Sequence, residues 1–413
     1  GYFEGIFHES VGEFDATGGA YDQVLLVATC GALGFIVASL IRRKFFFNFP
    51  AKQEGLKYLN LYEYYIKYRK PILISFLCLV SFVAITNGMF SFYQRGVPQT
   101  TLPFGANGVY KWLILFGLAS FSTYILQFEL KAKNKISFLI ILLVLFECFA
   151  SNVSLLSRGM VLNAGALIIG LMVCLKFYPI KSKAKFYFGI TVMTLVLFIS
   201  SVFIVNFLRA NMHTAPLVQT ARTDAAEAAR LKEARIEGVL AAAVYMAAPL
   251  LVDRWVGVEG VMAVVGYDRL GWGMFQTALS ERYDESKSSF YDDNLIESSY
   301  IGTDKAKHHF ISLPGIIAFF FYPGSFVFLV VTMFCFGTFA AFIEFGTYKL
   351  GGGNVILCAL IAQVVAFRLA SFGYVPAQSY LLFGSIFLNL LLIFFAEKFI
   401  RFYKEKPIKN LLT

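Results

Sequence analysis

The sequence predicts an all-α protein: a polytopic transmembrane helix bundle of about nine spans with a large helical extracytoplasmic loop. Three observations predict it. The chain is 58% hydrophobic over 413 residues with a mean hydropathy of +0.67, more apolar than soluble domains. The apolar residues are gathered in repeated runs of about 20, the length that crosses a roughly 30 Å hydrocarbon core as helix. One long polar stretch, residues 209–309, interrupts those runs and carries Arg209, Arg254, Glu259, Arg269, His308 and His309 among aromatics and glycines.

The runs fall at 23–41, 71–90, 110–130, 136–156, 160–178, 186–208, 325–346, 355–375 and 380–400. Gly and Pro recur inside them, which bilayer helices tolerate where neighbours satisfy the freed backbone groups. The 46 phenylalanines reflect a lipid environment and no cofactor. Residues 311–322 are too short to cross and lie around Pro314 and before Pro323. They are expected to form a re-entrant or half-depth segment, covered by protein or lining a polar cavity. The chain begins without Met on an acidic, polar stretch of 22 residues, so it is expected to start inside a longer protein. No internal repeat supports an inverted-repeat transporter.

A net charge of +10 on a soluble protein would suggest nucleic acid. Here the charge sits in short loops, so membrane lipid is the expected surroundings and nucleic acid is not an expected partner. Arg42, Arg43, Lys44, Lys52, Lys57, Lys67, Arg69 and Lys70 lie in one loop. Lys131, Lys133 and Lys135 lie in a second, Lys176, Lys181, Lys183 and Lys185 in a third, and Lys398, Arg401, Lys404, Lys406 and Lys409 in the tail. With nine spans all four fall on one side, the cytoplasm by the positive-inside rule. The other side, the periplasm in a Gram-negative cell, receives the N-terminus, the 91–109 loop, Ser157-Arg158-Gly159 and residues 209–309. This divides the chain into N-terminal spans 1–208, the loop 209–309, and a re-entrant segment with C-terminal spans, 310–413.

Within the loop, 221–236 is rich in helix formers and holds the pair Glu227–Arg230. Residues 238–251 are apolar but too short to span, and 253–265 are expected to return to the bundle. The polar stretch 281–300 is expected to be the mobile part, with Asp292 and Asp293 a solvated pair. Six cysteines, Cys30, Cys78, Cys148, Cys174, Cys335 and Cys358, all fall in apolar runs. They read as buried thiols, with no disulfide framework and no zinc site.

Each candidate site residue has a plain alternative. Arg158 fits a snorkelling arginine, yet it lies in a very short turn on the side that cations avoid, where an anionic partner would justify it. Arg209 ends a span, where a helix C-terminus favours a cation and a phosphate would also bind. Arg254 sits in DRWVGVEG with Glu259, and burying either unpaired is expensive. His308 and His309, two of only four histidines, suit a general base or an interfacial position. Adjacent histidines rarely hold one metal. Arg368 lies inside a late span and should face the bundle interior. Glu147 is placed similarly and is expected to pair with an arginine. Planar guanidinium groups match a pyrophosphate and stabilise it as a leaving group.

The residues SRG at 157–159, DRWVGVEGVMAV at 253–264 and KHHFISLPGIIAFFFYPGS at 307–325 give the chain its likeness to a family. With the many spans and one large late loop, it resembles the bacterial O-antigen polymerases, the oligosaccharide repeat-unit polymerases of the Wzy type. The resemblance covers most of the chain. It implies a metal-independent glycosyltransferase of the GT-C type, without cofactor, in the inner membrane. Undecaprenyl-pyrophosphate-linked glycans would be both donor and acceptor, and a chain-length regulator would be a partner. Arg158, Arg209, Arg254 and Arg368 would then hold pyrophosphate, and His309, His308 or Glu259 would be the base. An O-antigen ligase would share these residues. A lipid-linked oligosaccharide flippase would instead spread charge along a central path.

Overall fold

A computed structural model describes residues 11–46, 57–97, 99–133, 136–157, 159–176, 184–218, 258–284, 287–296 and 311–405. Arg158, Arg254, His308 and His309, the helix expected at 221–236 and the apolar stretch 238–251 lie outside them.

The described residues are helical wherever they are regular, with no strand among them. The first helices are α1 (Gly18–Ile41), α2 (Leu59–Lys67), α3 (Arg69–Phe90), α4 (Asn107–Trp112), α5 (Leu118–Lys133), α6 (Phe138–Ser154), α7 (Met160–Leu175) and α8 (Ala184–Val218). They are followed by α9 (Glu259–Gly266), α10 (Trp272–Leu279), α11 (Ile316–Phe320), α12 (Phe326–Leu350), α13 (Val355–Ala370) and α14 (Ser379–Glu405). A π turn over Leu113–Gly117 joins α4 to α5 into one rod. Each of the nine apolar runs is therefore a helix. Six helical segments are long and apolar enough to cross a membrane, while those at 138–154, 162–175 and 355–370 are shorter. The short ones bury one face in the interior, as the long rod 103–133 does more fully. On α13, Ile356, Leu357, Leu360 and Ile361 are buried, and on α6, Ile141, Leu145 and Cys148 are buried. α6 and α7 also keep an outward face, with Leu139 on α6 and Ile169 on α7 exposed.

Side-chain caps set several starts. Thr17 Oγ1 accepts the Ala20 N–H at 3.2 Å to open α1, and Ser325 Oγ accepts that of Phe328 at 3.3 Å to open α12. Asn354 Oδ1 takes the N–H groups of Ile356 and Leu357 at 3.0 and 3.1 Å to open α13. Such caps satisfy donors that the first turn leaves open. The helix bodies are apolar on all sides, as lipid surroundings allow.

Contacts between helix ends fix their directions. Asn87 Nδ2 donates to Ser154 O at 2.9 Å, tying the end of α3 to the end of α6. Arg209 on α8 reaches Leu156 O beside the same end. The end of α13 meets the start of α14 through Arg368 and Ser379. At the opposite end Arg42 pairs with Glu344 at 2.6 Å, Arg69 and Lys133 with Glu129, and Lys404 with Glu63. There Glu397 caps α2, accepting from Leu61 N at 2.8 Å and Asn60 Nδ2 at 2.8 Å. Counting α4 and α5 as one rod, nine helices among the described residues thus run alternately between two ends. The end with Arg209 and Arg368 is called the site end below.

Polar side chains stitch the interior. Asn354 Nδ2 donates to Thr123 Oγ1 at 3.1 Å, and Asn389 joins Ser120 and Trp112, both at 3.2 Å. Glu147 is fully buried, but its carboxylate meets Ser151 Oγ at 2.9 Å and Cys148 Sγ at 3.5 Å. The expected arginine partner is absent among the described residues, because α6 offers a hydroxyl one turn away. Cys78 and Cys335 also depart from expectation. They are exposed on the outer face, and the other four are buried or half-buried. An outward apolar position suits a thiol as well as a core position does when lipid is the surrounding.

The 311–322 segment holds α11, five residues whose Ala318 and Phe319 are fully buried. Rings from three other stretches, Phe275, Phe328 and Phe372, close on its Phe319 and Phe320. It is covered by protein, as a segment too short to span requires.

Candidate functional site

Two of the sequence motifs and the end of α13 become one backbone stack at the site end. A Cβ on Gly260 would lie 2.0 Å from Pro314 O, and one on Gly373 would lie 2.4 Å from Pro314 Cγ. Between them Gly315, at φ +83°, donates its N–H to Phe372 O at 2.9 Å. Only glycine permits these approaches. The stack joins the helix that Glu259 opens, the LPG segment and the end of α13. Glu259 is half-buried at the head of α9.

Arg368 stands in the last turn of α13, not deep inside a span, because that helix stops at Ala370. Gly373 (φ +126°) and Val375 (φ +43°) follow, then Pro376, which cannot continue a helix. Its Nη2 donates to Ser379 Oγ at 2.9 Å, and the guanidinium carbon lies 5.8 Å from the Phe372 ring centre. A cation in a last helical turn also suits the helix dipole, so position alone does not mark it as functional.

Arg209 is not at a helix end, since α8 runs on to Val218. Its Nε and Nη2 donate to Leu156 O at 3.1 and 2.7 Å. Leu156 has φ +54° and sits in the turn that leads to position 158. Arg209 therefore braces that turn. Arg95 meets the same turn from the other side, its backbone N–H donating to Leu155 O at 3.0 Å.

Arg95 and Lys111 were not legible as site residues, and the structure places both at the site end, over Phe367 and Tyr93. The Arg95 guanidinium carbon is 5.3 Å from the ring centre of Phe367, the residue before Arg368. Lys111 Nζ is 5.4 Å from the ring centre of Tyr93, which is close enough to Arg368 to interact with it electrostatically. None of the three cations has a carboxylate partner among the described residues. The cue, visible only in hindsight, is a lone arginine in QRG within a short loop on the cation-poor side. Arg269, in contrast, is an exposed residue paired with Asp268 at 3.3 Å.

The stretch expected to be mobile reaches the core at Ser289, Tyr291, Asp292, Leu295 and Ile296, while Arg282, Tyr283, Lys287, Asp293 and Asn294 stay exposed. Asp292 is fully buried; its carboxylate accepts the Ser289 hydroxyl at 2.6 Å and the Ser312 N–H at 3.2 Å. Of the two aspartates only Asp293 is exposed, so the solvated pair is one solvated and one buried carboxylate. Apolar Tyr291, Leu295 and Ile296 explain the difference, because they carry the turn into the core. Glu281 is held there too, accepting from Phe290 N at 2.6 Å and Val375 N at 3.3 Å. Burial, then the nearby Asp292 and Asp293, push its carboxyl above the usual glutamate value. Among the described residues no three metal-ligating side chains gather.

Comparison of the chain with protein-family models, with curated proteins and with solved structures finds no match.

Proposed function

We propose that the protein is a membrane glycosyltransferase that polymerises undecaprenyl-pyrophosphate-linked repeat units at the periplasmic face of the inner membrane. The observation that carries this reading is that Arg95, Lys111 and Arg368 each lie over an aromatic ring at the site end, on Phe367, Tyr93 and Phe372, without a carboxylate partner among the described residues. Arg95 and Arg368 are partly buried, where a cation without a counter-charge is costly unless an anion arrives, and the exposed Lys111 adds charge beside them. A pyrophosphate supplies two or more charges and suits guanidinium forks.

In this reading all nine alternating helices cross the bilayer. The end rich in Lys and Arg faces the cytoplasm, and the site end faces the periplasm. The acceptor's terminal hydroxyl oxygen attacks the donor's anomeric carbon. The bond from that carbon to the pyrophosphate oxygen breaks, and undecaprenyl pyrophosphate leaves with the electron pair, stabilised by the cations. The hydroxyl proton passes to a base, for which His309, His308 and Glu259 are the candidates. Arg158, Arg254 and Arg368 serve as pyrophosphate ligands, with Arg209 bracing the turn at Leu156. No metal takes part. A chain-length regulator is a partner of this activity.

The test is polymerisation by Arg254→Ala and Arg368→Ala. Both variants are expected to accumulate in the membrane and make no glycan ladder. Normal ladders from both would discard the pyrophosphate reading.

A further inference from the structure

A single carboxylate joins the two halves of the site end. Glu281 follows α10, and its two oxygens accept from two segments remote in sequence. Oε1 takes the Phe290 N–H at 2.6 Å and Oε2 takes the Val375 N–H at 3.3 Å. The second contact falls on an unusual residue. Val375 is β-branched, buried and left-handed at φ +43°, a conformation that persists only where surroundings impose it. Its carbonyl accepts the Gln378 N–H at 3.0 Å, starting the short turn that leads into Ser379. Ser379 Oγ in turn receives Arg368 Nη2 at 2.9 Å. Residues 375–379 are therefore gripped by Glu281 at one end and by Arg368 at the other.

We propose that Glu281 is a positioning residue for the basic cluster: by holding Val375 it fixes where Ser379, and hence the Arg368 guanidinium, stands. Only the ionised carboxylate has acceptors free on both oxygens; a protonated one keeps one acceptor and turns the other into a donor. The groups acting on it electrostatically are Asp292 and Asp293 from the 292–296 turn and Tyr322 from the segment after α11. The Tyr322 hydroxyl is buried with no hydrogen-bond partner among the described residues, so it offers no donor to retain the charge. Burial and the two aspartates raise the Glu281 pKa. On acidification the turn is thus released at a higher pH than an exposed glutamate would allow. The consequence for catalysis rests on the reading of Arg368 as an anion ligand; the positioning itself does not.

The experiment uses the full chain in lipid nanodiscs, wild type and Glu281→Gln. It reads amide hydrogen exchange over 374–379 and modification of Arg368 by phenylglyoxal, both by peptide mass spectrometry, from about pH 8 to about pH 5. In wild type both rates, corrected for intrinsic pH dependence, rise as pH falls. In Glu281→Gln both are high throughout, about ten-fold above wild type at neutral pH, as expected for losing a hydrogen bond to a charged group. Arg69 at the opposite end is unchanged in both. Equal rates in the two proteins at neutral pH would overturn the proposal. So would a Glu281→Gln variant that also exposes Arg69, since that marks general loosening. A failure of the polymerase reading shows separately, as an intact ladder in Arg368→Ala.

Discussion

Arg95, Lys111 and Arg368 put three positive charges around Tyr93, Phe367 and Phe372. Arg95→Ala is expected to lower polymerisation by at least about ten-fold, with the protein still folded, if loss of a charged hydrogen bond to phosphate is the cause. Arg368→Lys is expected to be nearly as poor as Arg368→Ala, because an ammonium lacks the planar fork; wild-type ladders from it would reduce the site to bulk charge. Glu129 makes a contrasting case. It is fully buried among Arg69, Tyr65 and Lys133 at the opposite end. Its loss leaves the buried Tyr65 hydroxyl without an acceptor, a cost of about 1–3 kcal/mol, so Glu129→Ala is expected to lower the melting temperature, as read by detergent thermal denaturation. Arg368 could be picked out from its sequence, because a cation in an apolar run is conspicuous. Arg95 could not, since its significance comes from Phe367, which lies 272 positions away in the chain. Asp292 was misread for the same reason: DD looks solvated until Ser312 arrives to bind it.

Helices and their junctions depend on small residues at defined places. A Cβ on Gly34 would lie 2.6 Å from Met333 Cβ, and one on Gly337 2.6 Å from Ala38 Cβ. The α1–α12 pair is thus a close backbone contact of the kind that small residues permit in membranes. Gly34→Leu is expected to abolish the folded peak in size-exclusion chromatography, while Gly165→Ala, with nothing within 4 Å of its Cβ, leaves it in place. Gly260→Ala should behave like Gly34→Leu, since Pro314 O is backbone and cannot step aside. Element existence was legible from apolar runs, and every run became a helix. Element ends were less so. The 355–375 run stops as helix at Ala370 because the chain must turn left-handed at Gly373 and Val375 to meet Pro314 and Glu281. That is a tertiary demand, invisible to hydropathy.

For the whole molecule, alternation of nine helices between two ends places residues 268 and 404 on opposite faces. With each helix a span, a membrane-impermeant maleimide is expected to label Asp268→Cys from outside intact cells and to label Lys404→Cys only after lysis. Labelling of both from outside would break the nine-span topology. The two-ended charge pattern was readable in sequence, because lysine-rich loops recur at every second turn. The packed site end was not, because its stack joins positions 260, 314 and 373. A chelator is expected to leave activity unchanged, and loss restored by a divalent ion would overturn the metal-free mechanism. The central claim is tested most directly by reconstituting the purified protein in lipid with a verified undecaprenyl-pyrophosphate-linked repeat unit and resolving the products on a gel. The expected result is a ladder spaced by one repeat unit from wild type and none from Arg368→Ala. No ladder from wild type, or the same ladder from both proteins, would contradict it.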